Sequence, residues 1–150
     1  MDKEKRLDKN SDEFGTPQDI FDELHEEFQF DYDACATSEN AKLRSFGRKE
    51  TNSLKINWFG LRVFCNPPYS RGNVKLFAEK AFEETSKNRK CMLAVLLIPT
   101  YTEREWFHRM KNSGRVDVRF FKKRIKFIGG ETSARGNHML MIFRRESDLW

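Results

Sequence analysis

Apolar residues recur along this chain in two periods. Ile20, Phe21, Leu24 and Phe28 fall at helical spacing, as do Val74, Phe77, Ala78, Ala81 and Phe82, so each set marks one buried face of a helix. Short strand-like runs occupy residues 30–36, 61–65, 116–121 and 139–143. The densest run, Met92-Leu93-Ala94-Val95-Leu96-Leu97-Ile98, is unbroken rather than alternating and is closed by Pro99. That is the pattern of a central parallel strand covered on both faces. A third helix carries Trp106, Phe107 and Met110 and stops near Gly114. The order helix, strand, strand, helix, strand, helix, strand, strand predicts an α/β fold built on an open sheet.

Local signals sharpen the boundaries. Thr16-Pro17-Gln18-Asp19 reads as a helix start, with Thr16 as N-cap and Pro17 at the first helical position. Thr102-x-x-Glu105 reads as a capping box opening the third helix. Residues 42–53 are polar and poorly periodic, which suggests a long loop with at most one turn of helix, and long loops in compact domains often carry function. Residues 1–13 alternate charges with almost no apolar content, so we expect a disordered tail, a single domain over 14–146 and a short tail over 147–150.

Composition narrows the class. A chain of 150 residues supports one core, and 14 Phe supply much of its apolar area although 34% of the residues are charged. No run approaches the roughly 18 to 20 apolar residues that a membrane span requires, and the first residues lack the apolar block of a signal peptide. Cys35, Cys65 and Cys91 are odd in number and show no CxxC spacing, so they read as small buried hydrophobes in a reducing cytoplasm. His25, His108 and His138 form no ligand spacing, and no metal site is expected. The net charge of +5 favours a polyanionic partner only mildly. Its distribution is more informative: between residues 121 and 145 stand Lys122, Lys123, Arg124, Lys126, Arg135, Arg144 and Arg145 against Glu131 alone.

The strongest chemical signal is Asn66-Pro67-Pro68-Tyr69, which follows a strand directly and precedes a helix. By average residue usage a chain of this size carries that tetrapeptide by chance on the order of once in a few thousand cases. Ligands of open α/β sheets bind outside the carboxyl ends of the strands, where this loop would lie. An aromatic amine is a poor nucleophile because its lone pair is delocalised into the ring. Acceptors aimed at its N–H groups localise that pair, and the Asn66 side-chain oxygen and Pro67 carbonyl are suited to the task, with the proline rings holding the backbone extended. Tyr69 offers a flat face on which a base flipped out of a duplex can stack. The plainer alternative is a turn after a strand, with Tyr69 as core filler.

Beyond the tetrapeptide, several segments are similar to the phage-type DNA N6-adenine methyltransferase family. They are Thr16-Pro17-Gln18, the run from Phe30-Asp31-Tyr32-Asp33 through Ala34-Cys35-Ala36, Glu39-Asn40-Ala41-Lys42, Trp58-Phe59-Gly60, Val63-Phe64-Cys65 before the loop and Ser70 after it, Trp106-Phe107-His108 and Arg124-Ile125-Lys126-Phe127. The resemblance implies a compact Rossmann-like class I methyltransferase fold with a mostly parallel sheet and an antiparallel last strand. It implies S-adenosylmethionine as methyl donor, double-stranded DNA as partner, and a role in protecting phage DNA from host restriction. Asn66, Pro67, Pro68 and Tyr69 would activate the amine. Thr16, Pro17, Asp31, Asp33 and Ala34 would line the donor, and Ser70, Lys122, Lys123, Arg124 and Lys126 would meet DNA. The glycine-rich turn usual after the first strand of methyltransferases is missing, since residues 36–40 contain no glycine.

Some assignments retain alternatives. Asp31 and Asp33 share a strand face, where one could hold the donor's ammonium or ribose, or both could face solvent at an edge. The basic cluster could track phosphates or protect a solvated strand edge. The same tetrapeptide chemistry would serve an RNA base or a protein glutamine, and a DNA-binding module without catalysis is a further possibility. Oligomeric state and recognition sequence have no signature in the chain.

Overall fold

The computed structural model describes residues 15–36, 41–47, 53–69, 72–122, 125 and 137–146. The two expected tails, Ser70, and Lys123, Arg124 and Lys126 of the basic cluster lie outside the described residues. The elements are α1 (Gln18–Phe28), β1 (Tyr32–Asp33), β2 (Arg62–Cys65), α2 (Asn73–Glu84), β3 (Leu93–Pro99), α3 (Glu105–Lys111), β4 (Val116–Phe120) and β5 (His138–Arg144).

The five strands form one sheet in the order β1-β2-β3-β5-β4. β1, β2 and β3 pair in parallel, while β5 is antiparallel to both β3 and β4. β5 alone therefore runs against the other four. This is the α/β sheet with a reversed last strand that the sequence led us to expect.

Alternation along the strands builds two core layers. Val63, Cys65, Ala94, Leu96, Ile98, Met139, Met141 and Phe143 face α2 and α3, which contribute Phe77, Ala78, Ala81, Trp106, Phe107 and Met110. Phe64, Leu93, Val95, Leu97, Leu140 and Ile142 face Phe21, Leu24 and Phe28 of α1. Phe64 is the keystone of this second layer. Its ring meets Phe21 edge-on at 5.2 Å and Phe30 at 5.4 Å, which locks α1 against β2 two residues before Asn66.

Several local expectations are revised. α1 begins at Gln18 with Pro17 (φ −57°, ψ 138°), which has no capping side chain, at the N-cap; Thr16 stands one residue before it, and its hydroxyl accepts from Asn66 Nδ2. The Thr102 capping box does not form. Arg104 is extended (φ −83°, ψ 137°), its guanidinium lies over the Tyr101 ring at 5.3 Å, and the helix opens only at Glu105. The first strand is shorter than the run 30–36, although its ladder with β2 extends from Asp31 N–H on the Arg62 carbonyl to Ala34 N–H on the Phe64 carbonyl. The described part of the 42–53 loop contains no helical turn.

That loop instead supplies an edge to β1. Asp33 N–H donates to Ser45 O at 3.0 Å, Gly47 N–H to Asp33 O at 2.7 Å and Ala36 N–H to Gly47 O at 2.9 Å. Ser53 Oγ bridges the Tyr32 hydroxyl (2.7 Å) and the Ala34 carbonyl (2.6 Å), so buried polar groups tie the loop down. Gly47 fits because it has no side chain: a Cβ there would collide with Ser53 Oγ and the Tyr32 hydroxyl and lie 2.8 Å from Ala34 O.

Candidate active site at the carboxyl edge of the sheet

Because β1, β2, β3 and β4 run the same way and β5 the other, one edge of the sheet gathers Asp33, Asn66, Pro99, Phe120 and the first residue of β5, His138. Asn66 follows β2 directly, half-buried, and the buried rings of Pro67 and Pro68 hold the loop against the core. Its amide is gripped on both sides. Asn66 Nδ2 donates to Thr16 Oγ1 at 3.1 Å, and the Tyr69 hydroxyl donates to Asn66 Oδ1 at 2.7 Å. The same hydroxyl lies 3.2 Å from the Leu97 carbonyl of β3. Burial pushes the Tyr69 phenol well above its ordinary range, so it keeps its proton and remains a donor.

Asp33 and Asp31, which the sequence pairs on one face, are separated by the fold. Asp31 is exposed, and its carboxylate accepts the Arg62 backbone N–H at 2.9 Å, capping the start of β2. Asp33 ends β1 and is 2% exposed. Its Oδ2 accepts Lys42 N–H at 3.1 Å, while Oδ1 has no hydrogen-bond partner among the described residues. Burial raises the Asp33 carboxyl to about 6. A buried carboxylate oxygen left open at a strand's carboxyl end suits a cationic or hydroxyl ligand. Ala34, 1% exposed, is committed to the sheet and to Ser53 through its backbone.

A sequence profile described as DNA N-6-adenine-methyltransferase (Dam) matches residues 3–146. A DNA N-6-adenine-methyltransferase of Haemophilus phage HP1 (strain HP1c1) is 32% identical over 130 residues, covering 85% of this chain and 72% of the relative. The chain belongs to the DNA N-6-adenine-methyltransferase (Dam) family. Among solved structures, a protein of Pyrococcus horikoshii described as a proposed RNA methyltransferase superposes with a TM-score of 0.47 at 15% identity. The alignment covers 88% of this Dam-family chain and 61% of that protein.

In this Dam-family chain the edge also contains a residue that sequence reasoning passed over. His138 is 1% exposed, and its ring packs against Tyr69 with centroids 5.6 Å apart. Burial lowers His138 to about 4, so it is a neutral wall of the site at pH 7. Nothing in the spacing of the three histidines marks it, because its place depends on β5 running backwards. His25, by contrast, is structural: Nδ1 accepts Phe30 N–H at 3.1 Å and the ring stacks on Phe21.

Reversal of β5 also splits the basic residues. Lys122 is exposed just beyond β4, at the same edge as Asn66. Arg144 lies at the opposite edge, with Nε donating to Asp117 at 2.8 Å. The excess of cations between residues 121 and 145 is therefore not one surface. Cys65 and Cys91 are buried and Cys35 half-buried, all three as free thiols. Among the described residues no helix is long and apolar enough to cross a membrane.

Proposed function

We propose that this chain transfers a methyl group from S-adenosylmethionine to the N6 amine of adenine in double-stranded DNA, with Asn66 and Pro67 as amine acceptors. The observation that carries this reading is the Asn66 amide held at the carboxyl edge by Thr16 and Tyr69, in a chain of the Dam family. When bound, S-adenosylmethionine supplies an electrophilic methyl on a sulfonium. Asp33, with its open Oδ1, fits the donor's ammonium or a ribose hydroxyl, with Ala34 and Pro17 as further donor-lining residues.

On the acceptor side, the Tyr69 hydroxyl fills the acceptor lobe of Asn66 Oδ1 while no amine is present. An entering adenine amine takes over that lobe, and the Pro67 carbonyl accepts its second N–H. The lone pair is thereby localised on N6, and acceptors fixed in advance stabilise the positive charge that develops there. Released from Asn66, Tyr69 turns its ring to the base, contributing about 1 to 3 kcal/mol by stacking. The base reaches the loop by flipping from the duplex. Lys122, with its chain neighbours Lys123, Arg124 and Lys126 and with Ser70 next to the loop, is suited to the flanking phosphates. Protection of a phage genome is the biological role favoured by the phage relative.

Asn66→Ala tests the reading. Transfer to duplex DNA falls by about two to three orders of magnitude, as for loss of one preorganised catalytic hydrogen bond. Affinity for S-adenosylmethionine, measured by calorimetry, stays within about twofold of wild type. Transfer at the wild-type rate shows that the loop is misassigned, and transfer confined to RNA or protein replaces DNA as substrate.

A further inference from the structure

The resemblance to methyltransferases assigns Thr16 to the donor pocket. We infer that Thr16 is instead a positioning residue for Asn66, fixing the amide so that its oxygen, not its nitrogen, faces the target amine. The inference rests on the catalytic role of Asn66 proposed above.

A primary amide carries an acceptor and a donor at nearly the same place, related by a half-turn of the side-chain torsion. With the amide turned the wrong way, an N–H would oppose the N–H of adenine and repel it. Something must therefore hold Nδ2 away from the substrate. Thr16 Oγ1 does so at 3.1 Å across fifty residues of chain. Thr16 itself is 4% exposed, so little water competes for its hydroxyl. Tyr69 holds the other lobe of the amide from within the loop, but the reading above has the amine displace it. The Thr16 contact engages Nδ2 rather than Oδ1, so an amine that takes the oxygen leaves it intact.

The fold keeps Thr16 in place by packing. Pro17 sets the start of α1, and the Pro17 carbonyl accepts Phe21 N–H at 3.1 Å. Phe21 is then pinned to Phe64, two residues before Asn66. The helix and the catalytic strand thus meet through an aromatic contact close to the hydrogen bond, which preserves the distance between Thr16 and Asn66.

The two roles for Thr16 separate in kinetics. In Thr16→Val, which keeps the shape and removes the hydroxyl, kcat at saturating S-adenosylmethionine and duplex DNA falls about five- to tenfold. Calorimetric affinity for S-adenosylmethionine stays within about twofold, and Thr16→Ser restores kcat to within about twofold of wild type. A purely structural role would lower the melting temperature without this split or this rescue. If Thr16→Val folds poorly, the wild-type protein decides. The side-chain amide protons of Asn66, identified in NMR spectra by their loss in Asn66→Ala, are protected from solvent exchange relative to those of exposed Asn57. Weakened donor affinity with unchanged kcat, no change in either quantity, or unprotected Asn66 protons overturns the inference. Full activity of Asn66→Ala would overturn the proposed function itself, whereas an inactive Asn66→Ala beside a normal Thr16→Val overturns this inference alone.

Discussion

The two sides of the candidate site are built differently. On the proposed acceptor side Asn66 and Tyr69 follow a four-residue strand buried in the sheet, and their polar atoms bond to one another, to Thr16 and to the Leu97 carbonyl. On the proposed donor side Asp33 ends a two-residue edge strand, braced by a loop rather than a helix, and keeps one buried carboxylate oxygen without a partner among the described residues. One side pairs its polar atoms within the protein; the other leaves a buried oxygen without such a partner among the described residues. Under the proposed function, fixed hydrogen bonds would stand where charge develops during reaction, and an unmet carboxylate oxygen where a cation would bind. The two sides touch through the start of α1, where Lys42 Nζ donates to Gln18 Oε1 at 3.1 Å, two residues beyond Thr16.

The largest expected effect lies on the acceptor side, the loss of about two to three orders of magnitude in transfer on Asn66→Ala with donor binding spared. Asp33→Asn should produce the mirror image, with donor affinity down at least about tenfold and kcat at saturating donor little changed. Equal effects of the two substitutions on both quantities would erase the distinction between the sides.

Acidity offers a third route to the same comparison. The folded carboxyl of Asp33 titrates near 6, above its ordinary value of 3.8, so between those values the folded chain holds a proton that the unfolded chain has released. Its contribution to ligand-free stability is therefore lost as pH rises through about 6. Binding of a cationic donor has the opposite sign because it requires the ionised form. Affinity should rise about tenfold between pH 5 and pH 7, with proton release near pH 6, and Asp33→Asn should flatten the profile. A calorimetric titration in two buffers of different ionisation enthalpy measures this directly.

Much of the fold was legible in the sequence because its strands and helices bury continuous faces. The run 92–98 reads as a doubly covered strand, and Leu93–Pro99 is one. Ile20, Phe21, Leu24 and Phe28 gave α1 within a residue of its start. The helix caps were less legible, since Pro17 and Arg104, not Thr16 and Thr102, occupy the N-cap positions, and the contacts of Thr16 with Asn66 and of Arg104 with Tyr101 do not register in local propensity. The loop over 42–47 was illegible for a related reason: it is held by backbone bonds to β1, which leave no periodic trace in side chains. The tetrapeptide Asn66-Pro67-Pro68-Tyr69 stands out by its residue types alone, and the structure places it at the carboxyl edge of the sheet. His138 and the separation of Asp31 from Asp33 do not stand out in this way, because both depend on strand ends and direction.

Smaller effects sharpen the contrast further. Gly47→Ala should lower stability by about 1 to 3 kcal/mol, because its Cβ meets Ser53, Tyr32 and Ala34 in a tied-down loop, and should weaken donor binding more than it slows transfer at saturation. Thermal melts with and without S-adenosylmethionine check this. Arg144→Ala, at the far edge with its carboxylate partner exposed, should change stability by less than about 0.5 kcal/mol and leave the salt dependence of DNA binding unaltered. Lys122→Ala should instead reduce the slope of log affinity against log salt by about one unit.

The central claim is that the Asn66 loop activates the N6 amine of adenine. Its most direct test is to incubate the protein with methyl-labelled S-adenosylmethionine and unmodified duplex DNA, digest to nucleosides and separate them by chromatography. Label in N6-methyldeoxyadenosine, absent with Asn66→Ala, is the predicted result. Label in another nucleoside, label only in RNA or protein offered alongside, or undiminished labelling by Asn66→Ala would contradict it.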